Sequence, residues 1–144
     1  MDKIDLKIIQ LLKANGRMTC SEISKKVLLS VPAVAERIRK LEEEKIIRQF
    51  TVRLNRKKLD LNLLAFVLVS LDKSEYAGGF RETVAKSDWI LECHNIAGEY
   101  DYLLKVVAEN TEKLEIYISQ ILKKTAGVAK TNTIVVLSTL KEEM

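Results

Sequence analysis

Four consecutive residues, Gly98, Glu99, Tyr100 and Asp101, stand between two apolar runs in the stretch NIAGEYDYLLKV. A tight turn between strands needs only a Gly and one or two small polar residues. Two carboxylates and a phenol at one turn therefore fit either a solvated hairpin, its acids free or paired with Lys105 or Lys130, or a seat for a cationic or amphoteric ligand. A second group lies upstream in SVPAVAERIRKLEEE. Placed at about 100° per residue, Pro32, Ala33, Glu36, Arg39 and Lys40 share one side of a helix, with Arg37 on its flank and Ser30 as its cap. Small residues at the start of such a helix admit it to base edges, and Arg and Lys farther along meet phosphate or guanine acceptors.

Enzymatic signatures are absent: the chain has no Walker loop, no G-x-S-x-G and no H-E-x-x-H. Its one histidine, His94, follows Cys93, and neighbours on a strand point to opposite faces, which opposes shared metal ligation. No metal, cofactor or catalytic residue is expected. Cys20 and Cys93 form no CxxC pair and read as free thiols of a reducing compartment.

Three helices position the basic group. Asp2 caps the first, whose Ile4, Ile8, Leu11 and Leu12 make one apolar face. Thr19 and Glu22 form a T-x-x-E capping box for a short second helix through Val27. Ser30 caps the third, where Pro32 is tolerable because it lies in the first turn, and Val34, Ile38 and Leu41 face inward. Two helices joined by a short turn, the second basic outside, suit a helix-turn-helix reader of double-stranded DNA. Glu42 to Glu44 argue against DNA contact at the end of that helix.

Beyond Ile46 the pattern alternates, which predicts a linker strand or short hairpin over 47–62. The remainder reads as strand, helix, strand, strand, helix, strand: LLAFVLVSLD, Ser74 to Lys86, WILECHNIA, DYLLKVVAE, Thr111 to Lys124 with Leu114, Ile118, Ile121 and Leu122 buried, and TNTIVVLSTL. This is the ferredoxin-like βαββαβ order. The fold class is thus α+β: a winged-helix-like helix-turn-helix domain over 1–46, the linker, and a ferredoxin-like domain over 63–144. In the first strand Leu64, Phe66 and Leu68 make a second apolar face that two helices cannot cover, so a sheet-to-sheet homodimer is expected.

The chain has 144 residues, 47 % of them hydrophobic and 31 % charged, the balance of a globular protein. Its longest apolar run, Leu63 to Leu71, is about half the length of a membrane-spanning helix. With no signal-type segment at the start, a cytoplasmic location is expected. Residues 1–57 carry 14 Lys+Arg against 7 Asp+Glu, and the rest of the chain has a balance of −3. A polyanion partner is accordingly expected for the first part alone.

From DKIDLKIIQLLKANGRMTCSEISKKVLLSVPAVAERIRKLEEEKIIRQF, through NIAGEYDYLLKV, to GVAKTNTIVVLSTLK, nearly the whole chain resembles the Lrp/AsnC (leucine-responsive or feast/famine) transcriptional regulators. The resemblance implies a DNA-binding domain and a C-terminal domain that assembles dimers, often into octamers, and binds an amino acid effector. It puts the effector motif on Gly98, Glu99, Tyr100 and Asp101, facing Thr131 and Thr133 on the terminal strand. Asp101 would pair with an α-ammonium, and Gly98 would let backbone donors approach an α-carboxylate. Two other readings share this architecture: an architectural DNA-binding protein indifferent to amino acids, and a haem-pathway decarboxylase.

Overall fold

A computed structural model describes residues 1–142 and divides the chain into two units, one ending at Leu54 and one starting at Asn55. The first holds α1 (Lys3–Ala14), α2 (Cys20–Val27) and α3 (Val31–Glu43). Each helix begins at a side-chain cap. Asp2 Oδ1 accepts from the Ile4 and Asp5 N–H groups at 2.8 and 2.9 Å, while Asp5 Oδ2 accepts from Asp2 N–H at 2.8 Å. Glu22 Oε2 accepts from Thr19 N–H at 2.7 Å and Thr19 Oγ1 from Glu22 N–H at 3.2 Å, closing the box read from sequence. Ser30 Oγ accepts from Ala33 N–H at 3.3 Å. Ile8 of α1, Ile23 of α2, and Val34 and Leu41 of α3 meet at the centre of one buried cluster.

The segment after α3 corrects the expected linker strand. Between Ile47 and Asn62 the only regular element is one 3₁₀ turn, Arg56–Leu59. Phe50, Val52 and Leu54 alternate as expected but are exposed at 51, 75 and 67 %. Alternation makes a strand only where a neighbouring strand takes up its N–H and C=O groups. Within this one chain no such neighbour pairs with residues 47–62.

The second unit is the expected βαββαβ order: β1 (Leu63–Leu71), α4 (Ala77–Ala85), β2 (Ile90–Asn95), β3 (Tyr102–Ala108), α5 (Thr111–Ile116) and β4 (Val128–Val135). The strands form one antiparallel sheet in the order β2-β3-β1-β4. Ala65, Val67 and Val69 of β1 and Tyr102, Leu104 and Val106 of β3 pack with Phe80, Trp89, Leu114, Ile118 and Leu122 in a single core. Trp89 stacks on Tyr117 at 5.0 Å and Phe80 tilts against Tyr102 at 4.7 Å.

Two departures from the sequence reading have local causes. α5 continues as a wider π-helical turn over Tyr117–Leu122, so Leu114, Ile118 and Leu122, spaced by four, line up inward. Ile121, expected in the core, turns out and is 37 % exposed. β4 stops at Val135, opposite Ala65 near the start of β1, with one further bond from Val136 N–H to Leu64 C=O at 2.9 Å, instead of continuing to Leu140.

The other face of the sheet carries half-buried Phe66, Leu68 and Leu103 with Ile134, 51 % exposed. Lys105 interrupts it, held by Glu92 at 3.0 Å and Glu142 at 2.7 Å. Glu142 and Glu92 together hold the Lys105 ammonium above the usual lysine range against the opposing effect of its burial.

Candidate nucleic-acid interface and ligand turn

Pro32, Glu36, Arg39 and Lys40 are exposed on α3, as the helical spacing predicts, and Ser30 is engaged as its cap. Ala33 is half-buried, as is Arg37. Arg37 reaches away from the exposed side: its Nη1 lies 2.6 Å from Asp5 Oδ1 and 2.8 Å from Asp2 Oδ2. The hydrogen bond that Arg37 donates to Asp5, then the one it donates to Asp2, raises the guanidinium above its ordinary value. Arg37 therefore ties α3 to the start of α1, a task that no local spacing signals because its partners lie 32 and 35 residues away.

The other cations of α3 are also paired. Arg39 donates to both carboxylate oxygens of Glu36, at 2.9 and 2.7 Å, and to Glu43. Lys40 lies 3.9 Å from Glu36. The Arg39 hydrogen bond holds the Glu36 carboxyl below the usual range.

At the β2–β3 turn, Gly98 has φ 147°, a conformation that L side chains rarely adopt. Asp101 anchors the turn: its Oδ2 accepts from Leu71 N–H at 2.7 Å, its own N–H donates to Val69 C=O at 2.9 Å, and its C=O accepts from Ile96 N–H at 2.9 Å. Glu99 pairs with Lys130 at 2.7 Å, and that ammonium sits 5.0 Å from the centre of the Tyr100 ring. The Glu99 hydrogen bond is the largest influence raising the Lys130 ammonium above the usual lysine range. Ser70 Oγ donates to the Glu99 carbonyl at 3.3 Å.

The register divides the residues read from sequence. Lys130 faces Ser70, whereas Thr131 and Thr133 face Val69 and Val67 of the core. Paired residues share a face and successive ones alternate. Glu99, Tyr100 and Lys130 thus gather on the open side of the sheet, and Thr131 and Thr133 stand on the helix-bearing side, away from them. His94 lies on the open side 3.2 Å from Glu92, and Cys93, opposite core residue Leu104, on the other. Burial pushes the Cys93 thiol up. Among the described residues no three His, Cys, Asp or Glu side chains are placed to share a metal ion. No helix among them is long and apolar enough to cross a membrane.

A capped helix-turn-helix unit followed by a ferredoxin-like domain with a pinned glycine turn defines a two-part DNA-binding regulator. Residues 1–48 match the model of the winged helix-turn-helix DNA-binding family, and residues 64–144 that of the Lrp/AsnC ligand binding domain. The chain belongs to the Lrp/AsnC family of helix-turn-helix transcriptional regulators. It is 38 % identical over 146 residues to an HTH-type transcriptional regulator of Pyrococcus abyssi, covering 100 % of this chain and 97 % of that one. It is 35 % identical over 144 residues to the leucine-responsive regulatory protein of Escherichia coli, covering 99 % and 88 %. Among solved structures it resembles a Neisseria meningitidis transcriptional regulator in complex with L-Met, with TM-score 0.95, 32 % identity and coverage of 99 % and 94 %. B. subtilis LrpC superimposes with TM-score 0.89 at 36 % identity, covering 99 % of each chain.

Proposed function

We propose that this regulator binds double-stranded DNA through α3 and a free amino acid at the turn of Gly98 to Asp101, and acts as a homodimer joined through the open sheet face. The observation that carries the ligand reading is the Glu99–Lys130 pair, exposed at 72 and 57 % beside the Tyr100 ring. An amino acid zwitterion is complementary to such a pair, its α-ammonium to Glu99 and its α-carboxylate to Lys130. Gly98 leaves the approach free of a side chain. Asp101, bonded to Leu71 N–H, acts as the anchor that holds the turn in shape, and Thr131 and Thr133 stand outside the contacts of this protomer's own turn. The complex of the Neisseria relative with L-Met supports a ligand of the amino acid class.

Thermal unfolding with each of the twenty amino acids at millimolar concentration tests this reading. A ligand at 100 times its dissociation constant stabilises by about 2.7 kcal/mol. A shift with one or a few amino acids, lost in Glu99→Gln and Lys130→Met, is the expected result. No shift with any of them would favour the amino acid-indifferent architectural protein.

A further inference from the structure

The exposed surface of α3 divides into two parts. Its C-terminal half is self-neutralised, since Arg39 and Lys40 both lie against Glu36 and Arg39 also bonds Glu43. Its start is apolar: Val31, Pro32 and Ala35 are all exposed, Val31 at 44 %. Just before it, Leu28 is 88 % exposed and adopts φ 56°, ψ 47°. A left-handed conformation costs an ordinary L residue about 1–2 kcal/mol, and glycine would meet no such cost. The turn closes α2, with Leu28 N–H and Leu29 N–H both donating to Ser24 C=O, and it leaves the large apolar side chain of Leu28 in solvent.

We propose that α3 reads thymine, through contacts of Val31, Pro32 and Ala35 with the C5-methyl groups in the major groove, with Leu28 extending the same apolar surface. Guanine recognition by Arg39 is not the source of specificity. In the major groove only thymine offers a methyl group, and an apolar side chain can bury it. A guanidinium must present two free N–H groups to guanine O6 and N7, and Arg39 instead donates from Nε and Nη2 to the two oxygens of Glu36. The charge attraction to phosphate comes from cations outside α3, among them the exposed Lys25 and Lys26 of α2. This inference rests on the DNA-binding reading and names what it recognises.

The test uses the full chain. A pool of random-sequence duplexes is enriched for binding, and single thymines of the enriched duplex are then replaced by uracil. The replacement removes the methyl group and leaves the hydrogen-bonding edge intact. Affinity is expected to fall about fourfold at each thymine whose methyl is buried, taking about 0.8 kcal/mol for a buried carbon. Val31→Ser should erase the loss at one of these thymines, and Val31→Thr, which keeps one methyl, should restore part of it. Both changes fall on an exposed residue and leave the core of Ile8, Ile23 and Val34 intact. Equal binding of uracil and thymine duplexes at every position would overturn the proposal. An undiminished uracil effect in Val31→Ser, or a guanine preference that disappears in Arg39→Gln, would overturn it too. If no duplex is enriched at all, the DNA-binding reading falls and this proposal with it.

Discussion

The Arg37 guanidinium on α3 bonds the Asp5 carboxylate on α1 at 2.6 Å, with Asp2 completing the clamp at 2.8 Å. A residue on the flank of the reading helix is thereby committed to holding that helix against its neighbour. Arg37→Ala is expected to lower the thermal midpoint of the N-terminal unit while leaving the salt slope of DNA binding unchanged. A reduced slope with an unchanged midpoint would return Arg37 to the phosphate contacts.

The same corner sets an acid limit. Asp2 is held below the usual carboxylate range first by the Asp5 backbone N–H and then by Arg37, and Glu22 by the Thr19 N–H and hydroxyl. A carboxyl with a lower pKa folded than unfolded binds more protons in the unfolded state as pH falls. Its contribution is full above the unfolded value near 4 and is lost as pH drops through the folded value. Unfolding midpoints should therefore fall below about pH 4, and Glu22→Gln should make that fall shallower.

Glu36 restrains the reading helix electrostatically, since it pairs with both Arg39 and Lys40. Glu36→Gln should free them for phosphate, raise overall DNA affinity and steepen the salt slope by about one. Anisotropy titrations over a salt series read both quantities. A weaker complex would show instead that Glu36 itself contacts DNA.

In the C-terminal unit, a Cβ on Gly127 would stand 2.1 Å from the Tyr76 ring, and its φ of 83° is itself unsuited to a side chain. Gly127→Ala should lower stability by about 2 kcal/mol or more. Gly78 is exposed in the first turn of α4, with open space where a Cβ would stand, so Gly78→Ala should raise stability by up to about 1 kcal/mol. Denaturant unfolding compares the two directly, and equal effects would contradict the packing described.

Phe66, Leu68, Leu103 and Ile134 leave an apolar sheet face open in the single chain. Leu68→Lys at its centre should shift the protein toward monomer in sedimentation experiments without unfolding it. A dimer as strong as that of the unchanged chain would place the interface elsewhere.

Much of this architecture is legible in local sequence. The Thr19–Glu22 box and the Ser30 cap act over three residues, and the alternation of Ala65, Val67 and Val69 against Phe66 and Leu68 needs no partner to be seen. What escapes local reading depends on distant chain segments. Arg37 meets acids more than 30 residues away. Thr131 and Thr133 fall on the face opposite Lys130 only once the β1–β4 register is known. The alternation of Phe50, Val52 and Leu54 signals a strand, yet a strand needs a neighbour that this chain alone does not provide.

If DNA reading and amino acid sensing share one chain, linkage makes their coupling reciprocal. The most direct measurement is the affinity of the full chain for its enriched duplex with each of the twenty amino acids added in turn. One or a few amino acids are expected to shift that affinity, and the shift is expected to vanish in Lys130→Met while the duplex is still bound. An affinity unchanged by all twenty would contradict the coupling.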